Sequence, residues 1–406
     1  MSRPRISRLT RVIGSIAAST VNEDERFVTD VSVTTGTRHA VGTCELTGKN
    51  DIVTDEEMAL NLTRPLVLAP MAGGPSTPRL AAEVAEAGGL PFLAAGYLSP
   101  EKLGEDIVEL ESRISKPYGI NLFVPDHQGQ DCDRDAYESY RQQIATTLDI
   151  PESLLPAEPV WSDDYFEAKL GVALESSARF VSFTFGHPSA AVIERVHAAG
   201  KLAVLYATSR PGLNAVAASG ADVIGIQGAN AGGHRATVFG VDDDSAEPLV
   251  SLIEYALSIS DKPVFAGGGI ATSADVLEVL RAGATAVQVG TLFLDAEEAG
   301  TKETHRWALR NLKDRDTVVT RAFTGRPARA ISNRFTDTLS DAAPALYPQL
   351  HYLTSGLRKK AAEGEDAESL NLWAGTGFPH ASSKSAGRIV RELFPYHPSA
   401  NGSKRA

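Results

Sequence analysis

From Pro65 onward the chain alternates short β-branched, apolar runs with longer amphipathic stretches, and turn residues separate them. "LVLAP" (66–70) reads as a strand. "STPRLAAEVAEAGG" follows, with Ser76 or Thr77 as N-cap, Pro78 in the first turn and Gly88-Gly89 as the stop. "PFLAAG" (91–96) with a helix over 99–114 makes a second unit, and "YGINLFV" (118–124) with a helix from Asp133 to Leu148 makes a third. Further strands are predicted at 180–185, 202–207, 222–227, 263–269 and 286–294. Their helices are predicted over 189–199, 211–219, 247–259, 272–282 and 296–312. Two connections are long, 123–135 and 149–177, and both read as loops of the kind that covers a ligand.

Eight strand–helix units over roughly 245 residues match the size of an α/β (β/α)8 TIM barrel. A doubly wound open sheet uses the same alternation, but the count of eight favours the barrel. After residue 312 the alternation stops, which predicts a mostly helical C-terminal cap over 313–395 and a tail at 396–406. The barrel is expected over 58–312. Residues 1–57 are expected to form a flexible extension: four arginines precede residue 12 and no acid appears before Glu23. That is the composition of an organellar targeting peptide, and a start at Met58 would leave an ordinary opening strand.

Composition narrows the partners. The 406 residues are 43% hydrophobic, enough for one large barrel, and carry a net charge of −12. An acidic surface argues against nucleic acid and anionic membranes, though the potential inside a cleft can oppose the net charge. Cys44 and Cys132 form no Cys-x-x-Cys motif, which fits free thiols in a reducing cytoplasm. No apolar run is long enough to span a bilayer. No pair of histidines or carboxylates has metal-ligand spacing, so no metal is expected.

A TIM barrel keeps its active site at the C-terminal ends of the strands, and the unusual residues fall there. Strand 1 ends in "APMAGG" (69–74), strand 3 carries Asn121, and strand 6 ends in Gln227 and runs into "GANAGGHRA". Strand 7 ends in "AGGGIA" (266–271), and strand 8 carries "QVGT" (288–291). Glycine-rich turns after strands 7 and 8 are the usual phosphate cradle of this fold, although Gly267 to Gly269 could simply end a strand. The amides of Asn121 and Gln227 suit the polar edge of a flat ring, or a packed barrel mouth. His234 titrates near neutrality and sits in side-chain-poor backbone, which suits a base beside a flat ligand; the alternative is a loop histidine bonded to a carbonyl. His187 is expected near the rim, His351 lies in the cap, and the other histidines, His305 among them, read as surface residues.

Taken together, "PLVLAPMAGGPSTPRLAAEVAEAGGLPFLAAGYLSPEKL", "YGINLFVP", "VSFTFGHPS", "GIQGANAGGHRA", "PVFAGGGIATSADV", "AVQVGTLFL", "GRPARAISNRF" and "LNLWAGTGF" resemble the nitronate monooxygenases, over about residues 60 to 392. The resemblance implies a barrel that binds FMN non-covalently through Ala69, Pro70, Met71, Ala72, Asn121, Gln227, Gly232, Gly233, Gly268, Gly269, Gln288, Val289, Gly290 and Thr291. It implies that His234 is the catalytic histidine. It implies oxidation of a small alkyl nitronate, such as propionate 3-nitronate, with dioxygen to a carbonyl compound and nitrite, by a monomer or homodimer. Neutral, His234 would take a proton from the carbon next to a nitro group; protonated, it would attract the anionic nitronate. The chain departs from the family pattern at Asn230 (commonly Glu), Ala236 (commonly Gly) and Thr376 (commonly Gln), changes expected to lie near the substrate. Tyr347 and Tyr352 are expected to line the pocket from the cap. The competing readings are an FMN-dependent NAD(P)H:quinone or enoyl-thioester reductase on the same barrel, and a non-redox phosphate-binding lyase or isomerase.

Overall fold

A computed structural model describes residues 62–126, 130–237 and 246–395. The expectations for residues 1–57 and for the tail at 396–406 lie outside the described residues. Eight parallel strands form the barrel: β1 (Leu66–Leu68), β2 (Phe92–Ala94), β3 (Gly119–Phe123), β4 (Phe180–Thr184), β5 (Leu202–Ala207), β6 (Val223–Gln227), β8 (Val264–Gly267) and β9 (Ala286–Val289). They are ordered β1-β9-β8-β6-β5-β4-β3-β2. The ring closes through a parallel bridge between Val67 and Leu90, where Leu90 N donates to Leu66 O at 2.8 Å and Leu68 N to Leu90 O at 2.9 Å. The short β7 (Gly233–His234) stands outside the barrel.

Alternation along the strands divides the core. Val67, Phe92, Phe180, Val204, Tyr206 and Phe265 form one buried cluster. Leu66, Leu68, Ile120, Leu122, Val181 and Leu205 belong to the larger cluster shared with the helices. Eight strands leave little room inside, and in-register glycines make it. Gly119 pairs with Phe92, and a Cβ on it would lie 2.2 Å from that ring. Gly225 pairs with Tyr206, and a Cβ there would lie 2.3 Å from its ring. Each aromatic ring lies over the bare backbone of its neighbour.

The helices that follow the strands are α1 (Pro78–Glu86), α2 (Pro100–Glu111), α3 (Arg134–Leu148), α4 (Phe166–Glu175), α5 (Ala190–Ala198), α6 (Arg210–Ala218), α7 (Leu249–Ile259), α8 (Ser273–Arg281) and α9 (Glu303–Asn311), though Ala308 and Leu309 of α9 pack with Leu370, Leu372 and Phe378 rather than into the main core. Thr77, rather than Ser76, caps α1 by accepting from Leu80 N at 3.0 Å. α8 opens with a capping box between Thr272 and Asp275.

Three expectations need correction. The segment 149–177, expected to be loop, contains α4, whose Phe166, Leu170 and Ala173 face the main core at helical spacing. α4 is therefore the helix that crosses from β3 to β4. The predicted third barrel helix, α3, instead turns Tyr137, Tyr140 and Ile144 into a cluster with Phe323, Phe335, Leu350 and Leu353 of the cap. The last barrel strand stops at Val289 rather than 294: after Gly290 the chain turns into a 3-10 helix (Thr291–Phe293), and α9 begins only at Glu303. The C-terminal region contributes α10 (Arg334–Leu339), α11 (Gln349–Glu363) and α12 (Ala386–Leu393), but it opens with an antiparallel hairpin, β10 (Thr317–Thr320) and β11 (Ala328–Ile331), which the sequence reading did not anticipate.

Opposite outcomes are expected at two glycines. Gly225→Ala drives a methyl into Tyr206 and should destabilise the protein by about 1–3 kcal/mol. Gly104→Ala, in α2 with nothing within 4 Å of the new Cβ, should stabilise it by about 1 kcal/mol. Urea unfolding of both variants checks the pair; loss of stability in both would contradict this account of the barrel interior.

Candidate active site

A cavity of about 290 Å³ opens at the C-terminal ends of the barrel strands. The residues singled out from sequence are brought together around it: Ala69, Pro70, Met71 and Ala72 after β1, Asn121 on β3, Gln227 at the end of β6, and Gly232, Gly233 and His234 beyond it. Gly268 and Gly269 after β8, and Gln288, Val289, Gly290 and Thr291 at β9, complete the set. Gly268 and Gly269 adopt φ of +135° and +81°, which only glycine takes readily. A Cβ on Gly268 would approach the Gly228 backbone to 3.0 Å. These turns present bare backbone to the cavity.

The polar side chains of the floor are partly committed to each other. Asn121 Nδ2 donates to Ser182 Oγ at 2.9 Å and Thr184 Oγ1 at 3.0 Å. Gln288 Nε2 donates to Tyr206 Oη at 2.8 Å. Gln227 braces the loop that follows it: its Nε2 donates to His234 O at 2.9 Å and its Oε1 accepts from Ala236 N at 2.8 Å.

His234 is placed by the cap as much as by the barrel. β7 joins the C-terminal hairpin as a third strand, with His234 opposite Ala328 and Gly233 opposite Arg329. The segment Leu370–Phe378 then crosses the same loop. Thr376 N donates to Asn230 O at 3.1 Å, and Gly375 N to Thr291 Oγ1 at 3.0 Å. A Cβ on Gly232 would lie 2.3 Å from Gly375 N, so the two backbones touch. The imidazole Nε2 hydrogen-bonds with Thr324 Oγ1 at 2.9 Å. Phe185 and Trp373 flank the ring, each with its centroid 5.3 Å away, and Tyr347 lies at 6.0 Å. Burial, reinforced by the charges of Arg326 and Arg358, lowers the His234 pKa from 6.5 to about 3. Of the two expected states of His234 this favours the neutral one, with positive charge supplied nearby by Arg326 and Arg358. Arg326 lies 4.4 Å above the Phe185 ring.

A second wall comes from the β2 loop. Tyr97 has φ +66° and is held by its neighbours. Its N–H donates to Asp164 Oδ1 at 3.0 Å, and Lys169 Nζ bonds both Asp164 and, at 2.8 Å, Ala95 O. The Tyr97 ring stacks on His351 at 4.1 Å, and its hydroxyl pairs with that of Tyr347 at 3.3 Å. Burial raises the Tyr97 pKa to about 12. Arg358 is fixed by donating to His351 O at 2.8 Å and Thr354 Oγ1 at 3.1 Å. The charged residues lining the cavity are Lys302 and Arg358, with no carboxylate among the lining residues. A chain of net charge −12 thus encloses a cationic cavity.

Residues 55–395 match the nitronate monooxygenase family. The chain belongs to that family. It is 32% identical over 341 residues to the probable nitronate monooxygenase of Staphylococcus aureus (strain Newman), covering 82% of this chain and 94% of that one. Among solved structures it resembles a nitroalkane oxidase from Streptomyces ansochromogenes, with a TM-score of 0.77 and 41% identity over 83% of this chain and 96% of that one. FabK from Thermotoga maritima shares the fold, with a TM-score of 0.65 and 23% identity over 86% of this chain and 96% of that one. As a nitronate monooxygenase family member the chain is an oxidoreductase.

Against the family pattern, the structure relocates two of the three departures. Asn230 and Thr376 are exposed and adjoin each other at Gly269: a Cβ there would lie 2.8 Å from Asn230 Cβ and 3.2 Å from Thr376 Oγ1. They lie at the glycine turn and outside the cavity lining, not beside His234. Ala236 is buried and lines the cavity. His305, expected on the surface, is buried, lines the cavity and is bonded to the Trp373 backbone. Tyr347 lies beside His234 and Tyr352 packs edge-on against His351, but neither is among the lining residues, and nor is His187. Tyr97, Phe185, Thr324, Arg326 and Arg358 were missed; each lies on a connection or cap element that carries no local pattern, and only the arginine in "GRPAR" offered a signal.

Acid should expose the neutral histidines. The pKa of His305 is lowered to about 4, chiefly by burial, and that of His234 to about 3. Below pH 6.5 the unfolded chain binds protons on these rings that the native chain refuses, so stability should fall as pH drops from 6.5 toward 4. Urea midpoints at pH 7 and pH 5 measure the loss, and His305→Gln should shrink it. An equal loss in the variant would rule out His305 as a contributor.

Proposed function

We propose that the chain binds FMN non-covalently along the cavity floor and oxidises small alkyl nitronates, such as propionate 3-nitronate, with dioxygen to a carbonyl compound and nitrite. The observation that carries the reading is a histidine anchored by Thr324, within electrostatic reach of Arg326 and Arg358, in a glycine-lined cavity with no carboxylate among its lining residues. The residues present fit FMN. The turn at Gly268 and Gly269, next to the N-terminus of α8, offers backbone amides to a phosphate, and a side chain there would fill the cradle. Ala69 to Ala72 and Gly290 form a strip of small residues and Met71 on which a flat ring can lie. Bound there, the flavin would supply the redox chemistry, while the protein supplies position and charge.

His234 has a defined part in this reading. The 2.9 Å bond between Nε2 and Thr324 Oγ1 serves either tautomer, and the one this reading uses has Nε2–H donating to the hydroxyl oxygen. Nδ1 is then the basic atom, able to take the proton from the carbon beside a nitro group. A preformed nitronate needs no such step; Arg326 and Arg358 attract it instead.

Purified protein should carry flavin, consume oxygen and release nitrite with propionate 3-nitronate. Bleaching of the flavin by NADH alone would point to the reductase, and a colourless protein that takes up no FMN would point to the lyase or isomerase. His234→Asn should keep its flavin and lose about 10²–10⁴-fold in turnover of the neutral nitroalkane. Turnover of preformed nitronate should fall far less, and equal losses would exclude His234 as the base.

A further inference from the structure

Three non-glycine residues on two touching segments hold left-handed backbone: Tyr97 at φ +66°, Asp164 at +55° and Tyr165 at +53°. Such backbone is unfavourable outside glycine and persists where its surroundings impose it. Here an ion pair imposes it. Lys169 of α4, 1% exposed, bonds Asp164 and donates to Ala95 O at 2.8 Å, and Asp164 Oδ1 accepts from Tyr97 N at 3.0 Å. The start of α4 is thereby tied to the connection that follows β2. Apolar residues of matching shape often stabilise such a place as well as a buried pair does, so stability alone does not account for it.

The pair fixes Tyr97, and two rings confine it further. Phe123 meets the Tyr97 ring edge-on at 5.2 Å and covers Gly96, where a Cβ would lie 2.2 Å from it. His351 stacks on the Tyr97 ring at 4.1 Å. The hydroxyl is brought 3.3 Å from that of Tyr347, whose ring lies 6.0 Å from His234. Two phenols that share one hydrogen bond hold two O–H protons, so one proton is left for another acceptor. Tyr97 lines the cavity and Tyr347 does not, so with Tyr347 donating to Tyr97 the remaining proton is offered to the cavity. The Tyr97 phenol stays protonated at neutral pH, because burial raises its pKa to about 12. This donor stands at the histidine's end of the cavity: in the ring of strands, β1 and β9 separate β2 from β8 and the glycine turn that follows it.

We propose that the hydroxyl of Tyr97 donates to an oxygen of the substrate's nitro group, and that Asp164 and Lys169 are the positioning residues that aim it. The inference rests on the nitronate reading above and adds a contact to the reacting group. When His234 takes the proton from the carbon, the C–H electron pair becomes the C=N bond and negative charge passes to the nitro oxygens. A donor fixed there beforehand strengthens its hydrogen bond as that charge develops, and needs no reorganisation.

A cycle of variants tests both halves, with nitroethane as substrate and nitrite release as the readout. Tyr97→Phe keeps the ring and its stack on His351 but removes the hydroxyl. Asp164→Gly with Lys169→Met removes the tether, leaves no unpaired charge and suits the left-handed backbone. Each should lower kcat/KM about tenfold with flavin content as in wild type, and the three changes together should cost no more than Tyr97→Phe alone. Losses that multiply to about a hundredfold would overturn the positioning role, and undiminished turnover in Tyr97→Phe would overturn the donor. Should the double variant fail to fold, Lys169→Met alone, which leaves a carboxyl able to take up a proton, replaces it in the cycle under the same criterion. Nitrate is planar, carries its charge on oxygens bound to nitrogen and has no carbon to oxidise, so it gives a readout without turnover. It should change the fluorescence of Trp373, which lines the cavity, and bind about tenfold more weakly to Tyr97→Phe. Equal affinity, or none in wild type, would overturn the contact. If wild type turns over neither nitroethane nor its nitronate, the nitronate reading fails, while the nitrate titration still decides whether Tyr97 offers its donor to an oxyanion.

Discussion

Two pairs of residues in antiparallel register, His234 with Ala328 and Gly233 with Arg329, tie the barrel to the C-terminal hairpin. The rest of the site depends on that short ladder. Without it the loop after β6 would be glycine-rich backbone with no fixed course, since Gly228, Gly232 and Gly233 offer little side-chain packing. With it, the histidine ring is set against Thr324 of the hairpin turn, and the hairpin brings Arg326 over Phe185. Gln227 reinforces the ladder from the barrel side, using both ends of its amide. A side chain drawn from one body is thus oriented by backbone drawn from another.

The electrostatics follow from the same assembly. The barrel and cap carry their acids elsewhere, while the cavity is lined by Lys302 and Arg358. Burial first, and then the charges of Arg326 and Arg358, disfavour the charged form of His234. Base and cation are therefore separate residues here. Under the proposed function that separation is useful, because a neutral base need not also be the group that attracts an anion.

The sequence made the barrel legible because strand ends, caps and glycine turns are local signals. Thr77 and Pro78 at the start of α1, and the turns after β8 and β9, could be read within a few residues. What could not be read was which helix faces which partner. α3 and α4 both follow β3 and both carry apolar residues, but the tyrosines of α3 find a cluster built from residues nearly 200 positions later, as Tyr140 donating to Ala322 O across 182 positions illustrates. The hairpin was missed for a related reason: its outer strand is short and half exposed, and its inner strand is defined by pairing with β7. Asn230 and Thr376 were expected near the substrate from the family pattern, whereas they adjoin the glycine turn at Gly269. Arg326, Arg358 and His305 carry long-range roles with no short-range pattern.

The contact of Gly232 with Gly375 has a temporal side. A ribosome makes His234 90 positions before Thr324, and the Leu370–Phe378 segment later still. The barrel strands are complete by Val289, so the parallel sheet can close while the histidine loop still lacks its ladder and its crossing segment. The order of synthesis therefore lays down the strands before the segments that set the histidine and finish the core. A chain that stalls before Ala328 would hold its eight strands but neither the ladder that sets His234 nor α12, whose Ala386, Ile389, Val390 and Leu393 complete the main core.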